Sequence, residues 1–201
     1  MDAYFDYGSP YAYLAWQRIR AHPERYAGTD IAWKPISAGH IFRMDGSAPN
    51  TTLPNQGRYL WQDVTRWAKA YDVPFAPPRE GPGAMPVNSL RAARLHFVAD
   101  QQGPDMEAAW MEAVFLAYFE HGRDISDAAV LDDLAHTVGL DGGAAAADRE
   151  SVKKLLVANT QEAYEAGAPG VPFFVLDGET FWGNDRLPWV EARLAGAEPV
   201  V

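Results

Sequence analysis

Ser9 stands where a short strand hands over to a helix. The apolar run Ala3-Tyr4-Phe5-Asp6-Tyr7 leads straight into Gly8-Ser9-Pro10-Tyr11 and then into an amphipathic stretch. Serine at an N-cap followed by proline at the first helical position is a favoured helix start, and capping alone accounts for it. The same position offers an anion the free N–H groups and the dipole of the helix. In many thiol-handling proteins a cysteine occupies this point, but this chain has none anywhere. Sulfur chemistry here needs a thiol from a second molecule.

Magnitudes make that reading workable. A free thiol with a pKa of ~8.5 is only about 3% ionised at pH 7. A helix N-terminus favours the anion by roughly 0.3–1 kcal/mol, and by up to ~2 kcal/mol when partly buried. A hydrogen bond to a charged group adds about 1.5–3 kcal/mol. After desolvation is counted, the thiol pKa drops by roughly one or two units, each worth ~1.4 kcal/mol. Ser9 then acts as a hydrogen-bond donor. It is not placed as a nucleophile, since no Gly-x-Ser-x-Gly elbow surrounds it and no histidine is set beside it as a base.

Two more segments have suitable chemistry. Asn184-Asp185 reads as a turn and N-cap for the last helix, or as a loop that recognises an ammonium or carboxylate group. Asn50 is a loop polar residue by default, with a ligand contact as the alternative. Tyr11, Phe42 and Trp182 flank these loops and are expected to line an apolar pocket. Trp33, Trp67 and Trp110 fall at patterned positions and are expected in the core. His22, His40, His96, His121 and His136 form no close ligand pair, so no metal site is expected.

The elements that position these residues follow from periodicity. Ala3–Tyr7 and Ile31–Ile36 read as strands, with Pro35 favouring an edge or a bend. Tyr11, Leu14, Ala15, Arg18 and Ile19 predict a helix between them that ends near His22-Pro23, a right-handed crossover between parallel strands. Residues 39–57 read as irregular. Helical patterns follow over Tyr59–Tyr71, from Asn88-Ser89, over Met106–Phe119, after a Ser126-Asp127 cap, and from Asp148, with Gly139–Ala147 as a linker. Val171–Leu176, an Asp177-Gly178 turn and Thr180–Trp182 predict a hairpin, and a last helix runs to about Leu194.

The order βαβ, helices, ββα predicts an α/β thioredoxin-like fold with a large all-helical insertion. Residues 1–38 and 167–201 would form the thioredoxin-like part and 39–166 the irregular loop and insertion, all in one compact unit. In that layout Pro172 is expected to be cis and to face the start of the first helix. The Val171 main chain would then be free to pair with an extended peptide, such as a tripeptide thiol.

Bulk properties narrow the partners. A chain of 201 residues with 48% hydrophobic content buries roughly 70% of its unfolded surface. The net charge of −10 disfavours nucleic acid and anionic membrane surfaces. No apolar run approaches the ~20 residues of a spanning helix, and no signal peptide is recognisable, so a cytoplasmic protein is expected.

Together these motifs resemble the 2-hydroxychromene-2-carboxylate isomerase family, which is related to the kappa-class glutathione transferases. The resemblance rests on Phe5–Leu14, on Tyr59-Leu60 with Asp63, Arg66-Trp67-Ala68, Tyr71 and Pro74, on Gly170–Phe173, and on Phe181–Leu187. Trp182-Gly183-Asn184-Asp185-Arg186-Leu187 looks like the isomerase branch, whereas kappa transferases more often carry Ser at the place of Asn184. The resemblance implies a DsbA-like fold, glutathione as cofactor, a small aromatic substrate and a homodimer. It implies that Ser9 contacts the glutathione sulfur and that Val171, next to Pro172, pairs with its backbone, while Asn50, Asn184 and Asp185 hold its ends. Asp63 matches the pattern as a structural or functional residue.

The implied reaction converts 2-hydroxychromene-2-carboxylate to trans-o-hydroxybenzylidenepyruvate by reversible thiolate addition. A kappa-like transferase acting on other electrophiles is the alternative. A thiol-disulfide oxidoreductase is disfavoured because exchange needs a protein thiolate. A binding module that has lost its chemistry is the remaining class.

Overall fold

The structure, a computed structural model, describes residues 1–76 and 84–197, without the side chain of Asn50. Strand β1 (Asp2–Phe5), helix α1 (Pro10–Ala21) and strand β2 (Ala32–Pro35) open the chain. Helices α2 (Ala38–Met44), α3 (Pro54–Ala70), α4 (Leu90–Asp100), α5 (Pro104–Phe119), α6 (Ala128–Val138) and α7 (Glu150–Glu165) follow. The hairpin β3 (Phe173–Leu176) and β4 (Glu179–Trp182) and helix α8 (Leu187–Leu194) complete the fold. No described helix is long and apolar enough to cross a membrane.

The sheet order is β2-β1-β3-β4. Strand β1 runs parallel to β2 and antiparallel to β3. Its apolar sequence suits this central place, because both of its faces are covered. Ala3 and Phe5 point to the side of α1, where Ala3 meets Ala15, Ile19 and Val190, and Phe5 meets Phe115. Tyr4 points the other way, into a cluster with Ile36, Ile41 and Ala163. The largest cluster joins Phe5, Tyr7, Tyr13 and Trp16 to α4, α5 and α6, so sheet and helical block share one core. Trp110, Phe115 and Phe119 are fully buried there, each worth roughly 1.5–3 kcal/mol.

Pro35 ends β2 at the sheet edge, as its missing N–H requires. Asp177 and Gly178 both have positive φ, 51° and 83°, the two-residue turn that an Asp-Gly pair favours.

Several expectations need correction. The first strand stops at Phe5 and does not reach Tyr7, because the Ser9 N–H turns back to the Asp6 carbonyl at 2.9 Å. Residues 39–57 are not irregular throughout, since α2 occupies 38–44 and α3 begins at Pro54. The start of α2 is capped from a distance: the Ala38 N–H donates to Asp6 Oδ2 at 3.0 Å, while the adjacent Ser37 makes no side-chain cap. Gly139–Ala147 is not a loose linker. Ala144, Ala146 and Ala147 are buried in a 3₁₀ turn whose first N–H donates to Asp132 at 2.6 Å. Helix α7 therefore begins at Glu150 instead of Asp148. Asp127 alone caps α6, and Ser126 bonds to Asp124 instead. Strand β3 begins at Phe173, leaving Val171 and Pro172 just before it.

Candidate active site

Ser9 takes extended backbone angles at the N-cap of α1, and its hydroxyl accepts the Ala12 N–H at 3.2 Å. The same hydroxyl donates to the Val171 carbonyl at 3.3 Å. The Val171–Pro172 peptide is cis and lies against the helix start. The N–H groups of Tyr11, Val171, Asn184 and Asp185 find no acceptor among the described residues. All four residues line one cavity of about 650 Å³ between α1, α2, α3 and the β3–β4 hairpin. That size suits a small-molecule site, and unpaired backbone donors at its rim suit a ligand rich in carboxylates or thiolate.

Beneath Ser9 lies Asp6, a buried carboxylate. Its Oδ1 accepts the Gly8 N–H at 2.8 Å and the Ser89 hydroxyl at 2.5 Å, and its Oδ2 caps α2. Burial pushes the Asp6 carboxyl above the usual range, against the pull of these three donors. One side chain thereby ties the Ser9 turn to the starts of α2 and α4.

The hairpin loop supplies the opposite wall. Gly183 has φ +105°, and a Cβ there would come within 2.5 Å of Asp185 Oδ1, so glycine lets that carboxylate fold back. Asp185 remains partly exposed and pairs with Arg186 at 3.4 Å. Asn184 is 2% exposed. Its amide donates to Tyr71 Oη at 3.4 Å, while the Tyr71 hydroxyl donates to the Asn184 carbonyl at 3.2 Å. The Asn184 side chain thus fastens the loop to Tyr71, the residue that ends α3, and its backbone N–H is the group left open.

Aromatic residues form the rest of the lining. Trp182 Nε1 lies 3.3 Å and Phe42 Cε1 3.7 Å from where a Gly170 Cβ would stand, so glycine there admits both rings. Trp182 is 54% exposed. Tyr11 donates its hydroxyl to Asp63 Oδ2 at 2.9 Å. Burial, then the hydrogen bond to Asp63, hold the Tyr11 phenol well above its ordinary pKa and keep it protonated.

The family described as DsbA-like thioredoxin domain matches residues 1–195. A 2-hydroxychromene-2-carboxylate isomerase of Sphingobium xenophagum is 30% identical over 206 aligned positions, spanning 96% of this chain and 97% of the relative. The chain belongs to the DsbA-like thioredoxin family, in its 2-hydroxychromene-2-carboxylate isomerase branch. A solved structure of such an isomerase superposes with a TM-score of 0.84 at 28% identity, covering 97% of this chain and 94% of that one. Kinship extends to a Glutathione S-transferase kappa 1 of Caenorhabditis elegans, 23% identical over 212 positions, with 100% of this chain and 92% of the relative covered. The thioredoxin-like α/β architecture expected from the order of elements is the fold of this chain.

Ser9, Val171, Asn184 and Asp185 meet at the cavity, as do Tyr11, Phe42 and Trp182. The Asn50 side chain lies outside the described residues. Trp110 is fully buried, whereas Trp33 is half-buried. Trp67 departs from the core expectation: it is half-buried and lines the cavity, because Leu60, Asp63 and Trp67 share one face of α3. Asp6 escaped sequence reasoning. Its only local signal is a lone charge inside an aromatic run.

Proposed function

We propose that this chain is a glutathione-dependent isomerase that converts 2-hydroxychromene-2-carboxylate, or a related aromatic hemiketal, to trans-o-hydroxybenzylidenepyruvate. The observation that carries the reading is the Ser9 hydroxyl at the start of α1, 3.3 Å from the Val171 carbonyl, in a chain without cysteine. The kinship supports it, since relatives are named as isomerases of this type and as glutathione transferases.

The residues present fit glutathione. The unpaired N–H of Val171 and its carbonyl offer an extended peptide a strand-like partner. The open N–H groups of Asn184 and Asp185 suit one carboxylate, the Asp185 side chain suits an ammonium, and Asn50 is assigned to the other end. Bound glutathione supplies a thiolate whose reversible addition to the conjugated enone turns its double bond single and free to rotate. Ser9 and the Tyr11 N–H hold the sulfur ionised. Phe42, Trp67 and Trp182 receive the aromatic ring and exclude water. Pro172 keeps the Val171 main chain turned to the helix.

An ultraviolet assay on the chromene carboxylate, with and without glutathione, tests this. Trans product forming only with glutathione is the expected result, and turnover unchanged after complete glutathione removal would sink the reading. The full-length match to kappa transferases favours one alternative, conjugation of other electrophiles. Accumulation of a conjugate instead of an isomer would decide for it. By the same kinship we propose a homodimer working in the cytoplasm, to be checked by sedimentation at the mass of two chains.

A further inference from the structure

We propose that Tyr11 and Asp63 form the proton relay that opens the cyclic hemiketal, with Tyr11 as the catalytic residue that touches substrate and Asp63 as its proton acceptor. This rests on the isomerase reading above. The thiolate can act only on an open, conjugated enone, so the closed ring must first be opened. Nothing at Ser9 performs that step.

The two residues are placed for it. Tyr11 follows Ser9 by two positions in the first turn of α1, and Asp63 faces the cavity from α3 beside Leu60 and Trp67. Tyr11 packs against the cluster of Leu14, Leu60 and Val64, which fixes its ring. Its hydroxyl donates to Asp63 Oδ2 at 2.9 Å. No described residue donates to Tyr11 Oη, so its oxygen is open to a substrate hydroxyl. Asp63 forms no ion pair with a described residue, and its other oxygen has no described partner. Asp63 is half-buried at the cavity wall, where a substrate hydroxyl can reach the Tyr11–Asp63 pair.

The step balances. The hemiketal O–H proton passes to Tyr11 Oη while the Tyr11 proton passes to Asp63. The freed electron pair forms the ketone C=O, and the bond from that carbon to the ring oxygen breaks, leaving the pair on a phenoxide. The phenoxide takes a proton from Tyr11, and Asp63 returns its proton to Tyr11. The hydroxyl and ring oxygens hang on the same carbon, so one tyrosine oxygen can serve both. Burial keeps Tyr11 a neutral phenol at rest, so the relay starts from a single protonation state.

The test omits glutathione, so that the trans product cannot form. Exchange between closed hemiketal and cis enone is followed by nuclear magnetic resonance with wild-type protein, Tyr11→Phe and Asp63→Asn. The wild type is expected to speed the exchange over buffer, and each variant to lose about 100-fold of that acceleration, the order of a general acid–base contribution. Asparagine still accepts the Tyr11 hydrogen bond but cannot take its proton, so a purely structural Asp63 would leave the Asn variant at the wild-type rate. That result, or no acceleration by the wild type, overturns the relay. Thermal melting of both variants near the wild-type temperature verifies their folding, and Asp63→Glu, which restores a proton acceptor, is expected to recover part of the rate. The isomerase reading fails separately, if wild-type protein with glutathione makes no trans product.

Discussion

One hydroxyl and one carboxylate divide the labour at the start of α1. Ser9 presents the hydroxyl to the cavity, and Asp6 holds the turn that presents it. If glutathione binds as proposed, Ser9→Ala removes a hydrogen bond to its charged sulfur, worth about 1.5–3 kcal/mol, or roughly 10- to 100-fold. The expected outcome is a raised pKa of bound glutathione, read from its ultraviolet thiolate absorbance, with turnover falling in parallel. An unchanged thiol pKa would remove Ser9 from the site. Asp6→Ala acts differently, because it strands the Gly8 and Ala38 N–H groups and the Ser89 hydroxyl without an acceptor. A loss on the order of 3 kcal/mol in urea unfolding is expected. At this scale the sequence was partly legible. Ser9 and Val171 could be read because N-caps and X-Pro pairs are local signatures. The work of Asp6 could not, because its partners Ala38 and Ser89 are brought to it only by the tertiary fold.

Among the elements, α8 is tied to α1 and to the turn after it through one carboxylate. Glu191 on α8 receives Arg18 Nε at 3.0 Å and Arg25 at 3.0 Å, and the Tyr26 hydroxyl at 3.0 Å. Burial pushes the Glu191 carboxyl up, but the hydrogen bond and charge of Arg18, with Tyr26 and Arg25, outweigh it and hold the carboxyl below its usual range. A lowered folded value means that this stability is fully present above the unfolded pKa of about 4.3 and is lost as pH falls through the folded value. Glu191→Gln should destabilise by about 1–2 kcal/mol at neutral pH. The gap to wild type should close as urea titrations are repeated at acid pH, and a gap independent of pH would refute the ionic account. Periodicity found the long helices of this scaffold. It missed α2, which is short, carries Gly39 in its first turn and is capped by Asp6 from just past the end of β1. It also misread Gly139–Ala147, because an alanine run looks like a linker until a neighbouring helix covers it.

For the molecule as a whole, the central place of β1 decides how the site is assembled. Strand β1 pairs with β2 in the first part of the chain and with β3 near the other end, and the large shared core packs the helices between them against it. The order βαβ, helices, ββα made that arrangement readable, since few topologies satisfy such an order. Which cavity walls meet was not readable, since the hydrogen bond from Tyr71 at the end of α3 to Asn184 in the hairpin loop joins residues far apart in the chain. The contact between Ser9 and Val171 joins residues 162 positions apart. A ligand seated across it works as a clasp, fastening two distant stretches that the unfolded chain would let drift apart. Such a ligand cannot leave its mark on one loop alone. At a hundred times its dissociation constant it should add about 2.7 kcal/mol to global stability. Glutathione should therefore raise the melting temperature and slow amide exchange in β1 and β3 together, and protection confined to the hairpin would show that the clasp does not close.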